Sequence, residues 1–157
     1  MTKSLPQKIK ETLENFLKTQ FLIIIVVTII SWSILTFLGV KHALLLAGLT
    51  GSLSIIPYIG MIVSAVLTGI VAVVDGVRFL PEVHPVYEGV MIIFIYIILN
   101  QLIDFFLAPY ITGKYTNIKP LFIFLSVLAG TLLFGIVGAM LAVPTLLIIK
   151  TILNHDT

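Results

Sequence analysis

Apolar residues recur at three- and four-residue spacing through the first twenty positions: Leu5, Ile9, Leu13, Phe16 and Leu17. Lys8, Lys10, Glu11, Glu14 and Lys18 fill the opposite face. That period predicts an amphipathic helix over 1–20. Ser4 and Gln7 stand at the spacing of a capping box, with Pro6 in the tolerated first turn. Such a helix either lies in the membrane interface and feeds the next segment or forms a solvated linker helix. Beyond Lys18 the alternation stops. No Asp, Glu, Lys or Arg occurs between Lys18 and Lys41, between Lys41 and Asp75, or between Lys119 and Lys150. Uncharged apolar runs of about 18 or more residues mark membrane segments. Residues 21–40 therefore read as a transmembrane helix, and the run is too long for the core of a signal peptide.

The stretch 43–74 has an unusual length. As one helix it would reach roughly 48 Å, while a single crossing needs about 30 Å. Its middle holds Pro57-Tyr58-Ile59-Gly60. Proline removes a backbone donor and glycine permits a sharp bend, so the segment reads as a helical hairpin with arms too short to cross. Residues 75–88 form a polar loop, and 89–108 a second transmembrane helix carrying Asn100, Gln101 and Asp104. Pro109 opens another loop, which ends before Pro120. Tyr87, Tyr110 and Tyr115 flank this helix where an aromatic belt would sit. The stretch 120–150 repeats the earlier puzzle, with breaks expected around Gly135 and Gly138 and at Pro144, and reads as a second hairpin.

Composition sharpens this picture. Hydrophobic residues make up 59% of the chain and charged residues 10%, against about 25% charged in soluble domains. The chain is thus read as one all-α polytopic membrane domain. It contains no cysteine, which removes thiol chemistry. Lys3, Lys8, Lys10 and Lys18 place the N-terminus in the cytoplasm by the positive-inside rule. The 75–88 loop, with Arg78 against Asp75, Glu82 and Glu88, then falls outside. Lys114, Lys119 and Lys150 fall inside, so both termini are expected in the cytoplasm. On this reading one hairpin enters from each side, the layout of an inverted repeat with broken helices lining a substrate path.

Candidate chemistry is sparse. Asn100 and Asp104 stand four apart, on one helix face. A carboxylate within a span is costly and by default functional, as a proton or cation site or a path lining; the structural alternative is an Asp at the headgroup boundary. Unwound backbone at the two breaks, with Tyr58, Ser52, Ser54 and Ser64 near the first, would supply polar groups beside a cavity. The competing reading is close packing, because Ala47/Gly51, Gly60/Ser64, Ala65/Gly69 and Gly135/Ala139 are small-xxx-small pairs. The histidines show no metal-ligand spacing. There is no phosphate-binding loop and no nucleophile elbow, so neither ATP hydrolysis nor enzyme catalysis is expected, and no cofactor. The N-terminal lysines suit anionic lipid, not nucleic acid.

Three stretches carry a resemblance. They are Ile55-Ile56-Pro57-Tyr58-Ile59-Gly60; Asn100-Gln101-Leu102-Ile103-Asp104 running to Pro109 and Gly113; and Lys119-Pro120-Leu121 leading into Phe134-Gly135-Ile136-Val137-Gly138 and on to Pro144. In order and spacing they resemble the autoinducer-2 exporter family of bacterial permeases, over the C-terminal half of a typical member. The resemblance implies ATP-independent movement of small solutes across the bacterial cytoplasmic membrane, either autoinducer-2 export or sodium–proton exchange. It also implies homo-oligomers. A partner supplying an N-terminal half, or a scaffold role without transport, are the alternatives. On the shared pattern fall Pro57, Gly60, Asn100, Gln101, Asp104, Pro109, Pro120, Gly135, Gly138 and Pro144.

Overall fold

The computed structural model describes residues 4–56, 59–78, 84–103 and 118–153. They are almost wholly α-helical: α1 (Leu5–Leu38), α2 (Ala43–Leu53), α3 (Ile59–Asp75), α4 (Pro85–Leu102) and α5 (Pro120–Leu153). The chain divides into two compact units, Leu22–Ile111 and a second made of Met1–Phe21 with Thr112–Thr157. It is an all-α membrane protein. The sorting of side chains shows why. On α3 the buried positions are Gly60, Met61, Ser64, Ala65, Thr68, Gly69 and Ala72. The exposed ones include Ile62, Val63, Val66, Leu67 and Ile70. Water would select the reverse, with the large apolar groups inside. Lipid does not reward their burial, and helices there meet through small residues instead.

α1 begins as the capping spacing requires. The Ser4 backbone N–H donates to Gln7 Oε1 at 3.2 Å. No break separates the amphipathic part from the apolar part: α1 is one 34-residue helix, about 51 Å long. It ends in a Schellman motif. Val40 N–H bonds the Leu35 carbonyl at 2.9 Å and Gly39 N–H bonds that of Thr36 at 3.1 Å. Gly39 takes φ 72°, the left-handed conformation that glycine adopts without Cβ strain. Val40 and Leu35, the hydrophobic pair of this motif, share one core cluster.

The first unit, residues 22–111, then folds through α2, α3 and α4. The chain doubles back between α2 and α3, and the base of this hairpin is closed. Val40 and Val77 form an antiparallel bridge, and Arg78 N–H donates to the Gly39 carbonyl at 3.3 Å. Lys41 and Asp75 add an ion pair at 3.5 Å; being partly solvated, it contributes about 1 kcal/mol at most. Glycines set the close approaches. A Cβ on Gly51 would meet the Thr28 hydroxyl, one on Gly60 would meet the Leu53 carbonyl, and one on Gly89 would meet the Gly69 carbonyl at 2.9 Å. The small-residue pairs around Gly51, Gly60 and Gly69 are therefore packing faces. Among the described residues the core has two apolar clusters. One joins Leu35, Val40, Leu46, Ala65, Ala72, Val77, Ile92 and Tyr96; the other joins Val27, Met61, Leu99 and Ile103.

In the second unit the decisive residue is Gly135. α5 is helical on both sides of it, but Gly135 itself has φ 63° and ψ −144°, a region open only to glycine. The chain folds back there: Gly130 and Gly138 lie backbone against backbone. Gly138 and Pro144, read from the sequence as breaks, do not interrupt the second arm, which stays helical through both. Gly60 likewise falls inside the first turn of α3, and the described residues 54–56 after α2 are non-helical. Val127, Ala139, Ala142 and Leu147 are the buried apolar residues of α5, and Thr12 and Thr151 approach to 3.4 Å through their hydroxyls. No heavy atom lies within 4 Å of a Cβ built on Gly135. Gly135→Ala should thus cost backbone strain alone, about 1–3 kcal/mol, read as a lower midpoint in equilibrium unfolding.

Candidate functional site

The first unit gathers the buried polar side chains Ser31, Thr50, Ser64, Thr68 and Glu88. At the hairpin base lies a cavity of about 810 Å³ bordered by Thr36, Gly39, Lys41, Asp75, Arg78 and Glu88. That volume falls in the usual range for small-molecule sites. Glu88 is its most telling residue. It lies in the first turn of α4 and is only 3% exposed. Its Oε2 accepts the Val77 backbone N–H at 2.8 Å, which ties α4 to the bridge closing the hairpin. No cation lies in ion-pair range of its carboxylate among the described residues. The sequence pattern placed Glu88 in a polar loop, so this buried carboxylate was missed. The available signal was its four-residue spacing to Ile92 and Tyr96, both buried on the same side of α4.

Two turns along α4, Tyr96 is 1% exposed and its hydroxyl stands 3.3 Å from that of Thr50. Thr50 gives its own proton to the Leu46 carbonyl at 2.8 Å, so the phenol donates to Thr50. Ser31, Ser64 and Thr68 are also buried. The bundle interior thus carries hydroxyls from α1, α2, α3 and α4. Asn100 follows Tyr96 by one turn, and its side chain lies outside the described residues. Gln101 is exposed at the end of α4. Tyr58, Pro57, Asp104 and Pro109 lie outside the described residues, as does the side chain of Pro120, the first residue of α5.

Against known proteins, the model of the AI-2E family transporters matches residues 1–156. The chain belongs to the AI-2E transporter family. Among the relatives of this AI-2E chain is YrrI of Bacillus subtilis, named for an inferred transport role. It is 27% identical over 94% of this chain and 39% of its own length. TqsA of Escherichia coli, named an AI-2 transport protein, is 28% identical over 95% of this chain and 41% of its own. A Mycobacterium tuberculosis protein, also named for an inferred transport role, is 36% identical over 71% of this chain and 28% of its own. The chain thus spans about two fifths of the length of the first two. No solved structure gives a significant match. The family is one of membrane transporters and not of enzymes.

Proposed function

We propose that this chain forms conducting structure of a permease that moves small solutes across the bacterial cytoplasmic membrane without ATP. One observation carries the reading: the bundle of residues 22–111 turns large apolar side chains outward and buries Glu88, Tyr96 and a set of hydroxyls inside. Groups that cost free energy within a bilayer are retained where they line a path. The cavity floored by Glu88 serves as its mouth. Asn100, Gln101, Asp104 and Tyr58, the polar residues of the family pattern, are the further candidates for the lining.

The finer features follow from the same reading. α2 and α3 are 11 and 17 residues long, about 16 and 25 Å. The two arms of α5 reach about 22 and 27 Å. All fall short of the roughly 30 Å hydrocarbon core, which favours re-entrant hairpins over full crossings. The lysine distribution favours cytoplasmic termini. Autoinducer-2 is the first substrate to test, because TqsA carries that name. A homo-oligomer is the assembly proposed for activity in the cell.

The test is flux in proteoliposomes containing the purified chain, with autoinducer-2 and with sodium and proton gradients. Solute flux, lowered in Asp104→Asn at unchanged insertion, is the expected result. Sodium-driven proton movement without solute flux would replace this reading with antiport. No flux of either kind from folded protein would leave a scaffold or an incomplete transporter.

A further inference from the structure

Four charged side chains border the cavity at the hairpin base, and they do not pair off evenly. Lys41 and Asp75 hold each other at 3.5 Å. Arg78 and Glu88 face the same cavity, yet among the described residues neither makes an ion pair, with the other or with a third group. Their exposures differ. Arg78 is exposed, whereas Glu88 is 3% exposed. The Lys41–Asp75 pair is neutral as a whole, so Arg78 sets the sign of the charge at the solvent edge and Glu88 sets it inside.

Both groups keep capacity for a ligand. Glu88 Oε2 accepts the Val77 N–H at 2.8 Å, and a carboxylate has about four acceptor sites in all. Arg78 is tied to the hairpin base through its backbone, whose N–H donates to the Gly39 carbonyl at 3.3 Å. That bond leaves the guanidinium uninvolved, a planar fork of donors matched to phosphate and carboxylate. The order of the charges decides what fits. A bare cation bound for Glu88 meets Arg78 at the edge. A bare anion held by Arg78 faces Glu88. A molecule that carries both charges, and enters with its ammonium leading, meets an opposite charge at each end. Val40, Ala43, Val77 and Pro85 also border the cavity, and they suit the short carbon chain between the two charges.

We propose that this cavity binds a small zwitterion, with its primary ammonium on Glu88 and its phosphate or carboxylate on Arg78. Two sources carry that chemistry: a free solute, and the phosphoethanolamine headgroup of a membrane lipid. The proposal rests on the reading of this cavity as the mouth of a path for its part in transport. Binding is measured without flux, so the two fail separately.

The full chain in phosphatidylcholine nanodiscs is titrated by calorimetry with O-phosphoethanolamine and with glycine. Saturable binding of at least one is expected. Ethanolamine and inorganic phosphate each carry one of the two charges and should bind about tenfold more weakly or worse. Glu88→Gln keeps a carbonyl for the Val77 N–H, and Arg78→Gln keeps the backbone bond to Gly39, so the hairpin base stays closed in both. Each variant should weaken binding by about 10- to 100-fold, the loss of one charge-assisted contact. Inorganic phosphate binding as tightly as the zwitterions would reduce the site to an anion contact at Arg78 and overturn the proposal. Unchanged affinity in either variant would overturn it too, as would no binding of either zwitterion to the folded chain. Repeating the titration in phosphatidylethanolamine nanodiscs names the source. A weaker apparent affinity there, through competition that Arg78→Gln removes, supports the site with the lipid headgroup as its ligand. Equal affinity in the two lipids supports it with a free solute.

Discussion

Gly138→Leu should open the second hairpin, with a loss of at least about 3 kcal/mol in folding free energy. A Cβ at Gly138 would overlap the Gly130 carbonyl and come to 2.8 Å from Phe134 Cβ. The obstacle is backbone, which cannot rotate aside as a flexible side chain does. Added volume in a packed contact costs typically about 1–3 kcal/mol, and more where nothing can yield. The reciprocal contact is just as tight: a Cβ on Gly130 would meet the Gly138 carbonyl and stand 3.4 Å from Ala139 N. Gly130→Leu should therefore reproduce the loss. Denaturant titration in mild detergent reads both, with Leu132→Ala as the control. Leu132 is 78% exposed, so its truncation should shift the midpoint little. Equal midpoints for Gly138→Leu and the wild type would show that the arms do not meet at these glycines.

The comparison with Gly135→Ala separates two roles that the sequence could not. Gly135 and Gly138 lie in one apolar run and look alike as letters. Only the backbone distinguishes a glycine needed for its dihedral angles from one needed for its missing side chain. The places where the chain must turn were legible, because apolar runs between one and two crossings in length cannot be straight spans. Gly39 and Gly76 show a similar limit. Both take positive φ and end α1 and α3 beside one bridge, which pairs residues far apart in the chain. The continuity of α1 was hidden because a change from amphipathic to wholly apolar pattern looks like a boundary. A helix has no need to break where its surroundings change.

Glu88 is the clearest case of a residue whose role depends on a partner that sequence cannot supply, and it carries the second large prediction. Charge near a span end reads as loop, and its neighbours His84 and Tyr87 are exposed. In the fold, however, its carboxylate enters the hairpin base and receives the Val77 N–H at 2.8 Å. Hydrogen bonds to a charged acceptor contribute about 1.5–3 kcal/mol, and removing one partner leaves the other buried and unpaired. Glu88→Ala should accordingly destabilise the chain by about 2–3 kcal/mol, with the loss centred on the bridge between Val40 and Val77. Amide exchange at Val77 and Arg78 should quicken, while exchange in the far half of α5 should not change. Glu88→Gln keeps a side-chain carbonyl at the same reach and should retain most of the protection. The pair of variants therefore separates two contributions. If Gln restores stability but flux stays low, the carboxylate's charge matters to the solute entering the cavity. If Gln restores both, Glu88 serves the hairpin base alone, and solute recognition rests with other groups of the lining.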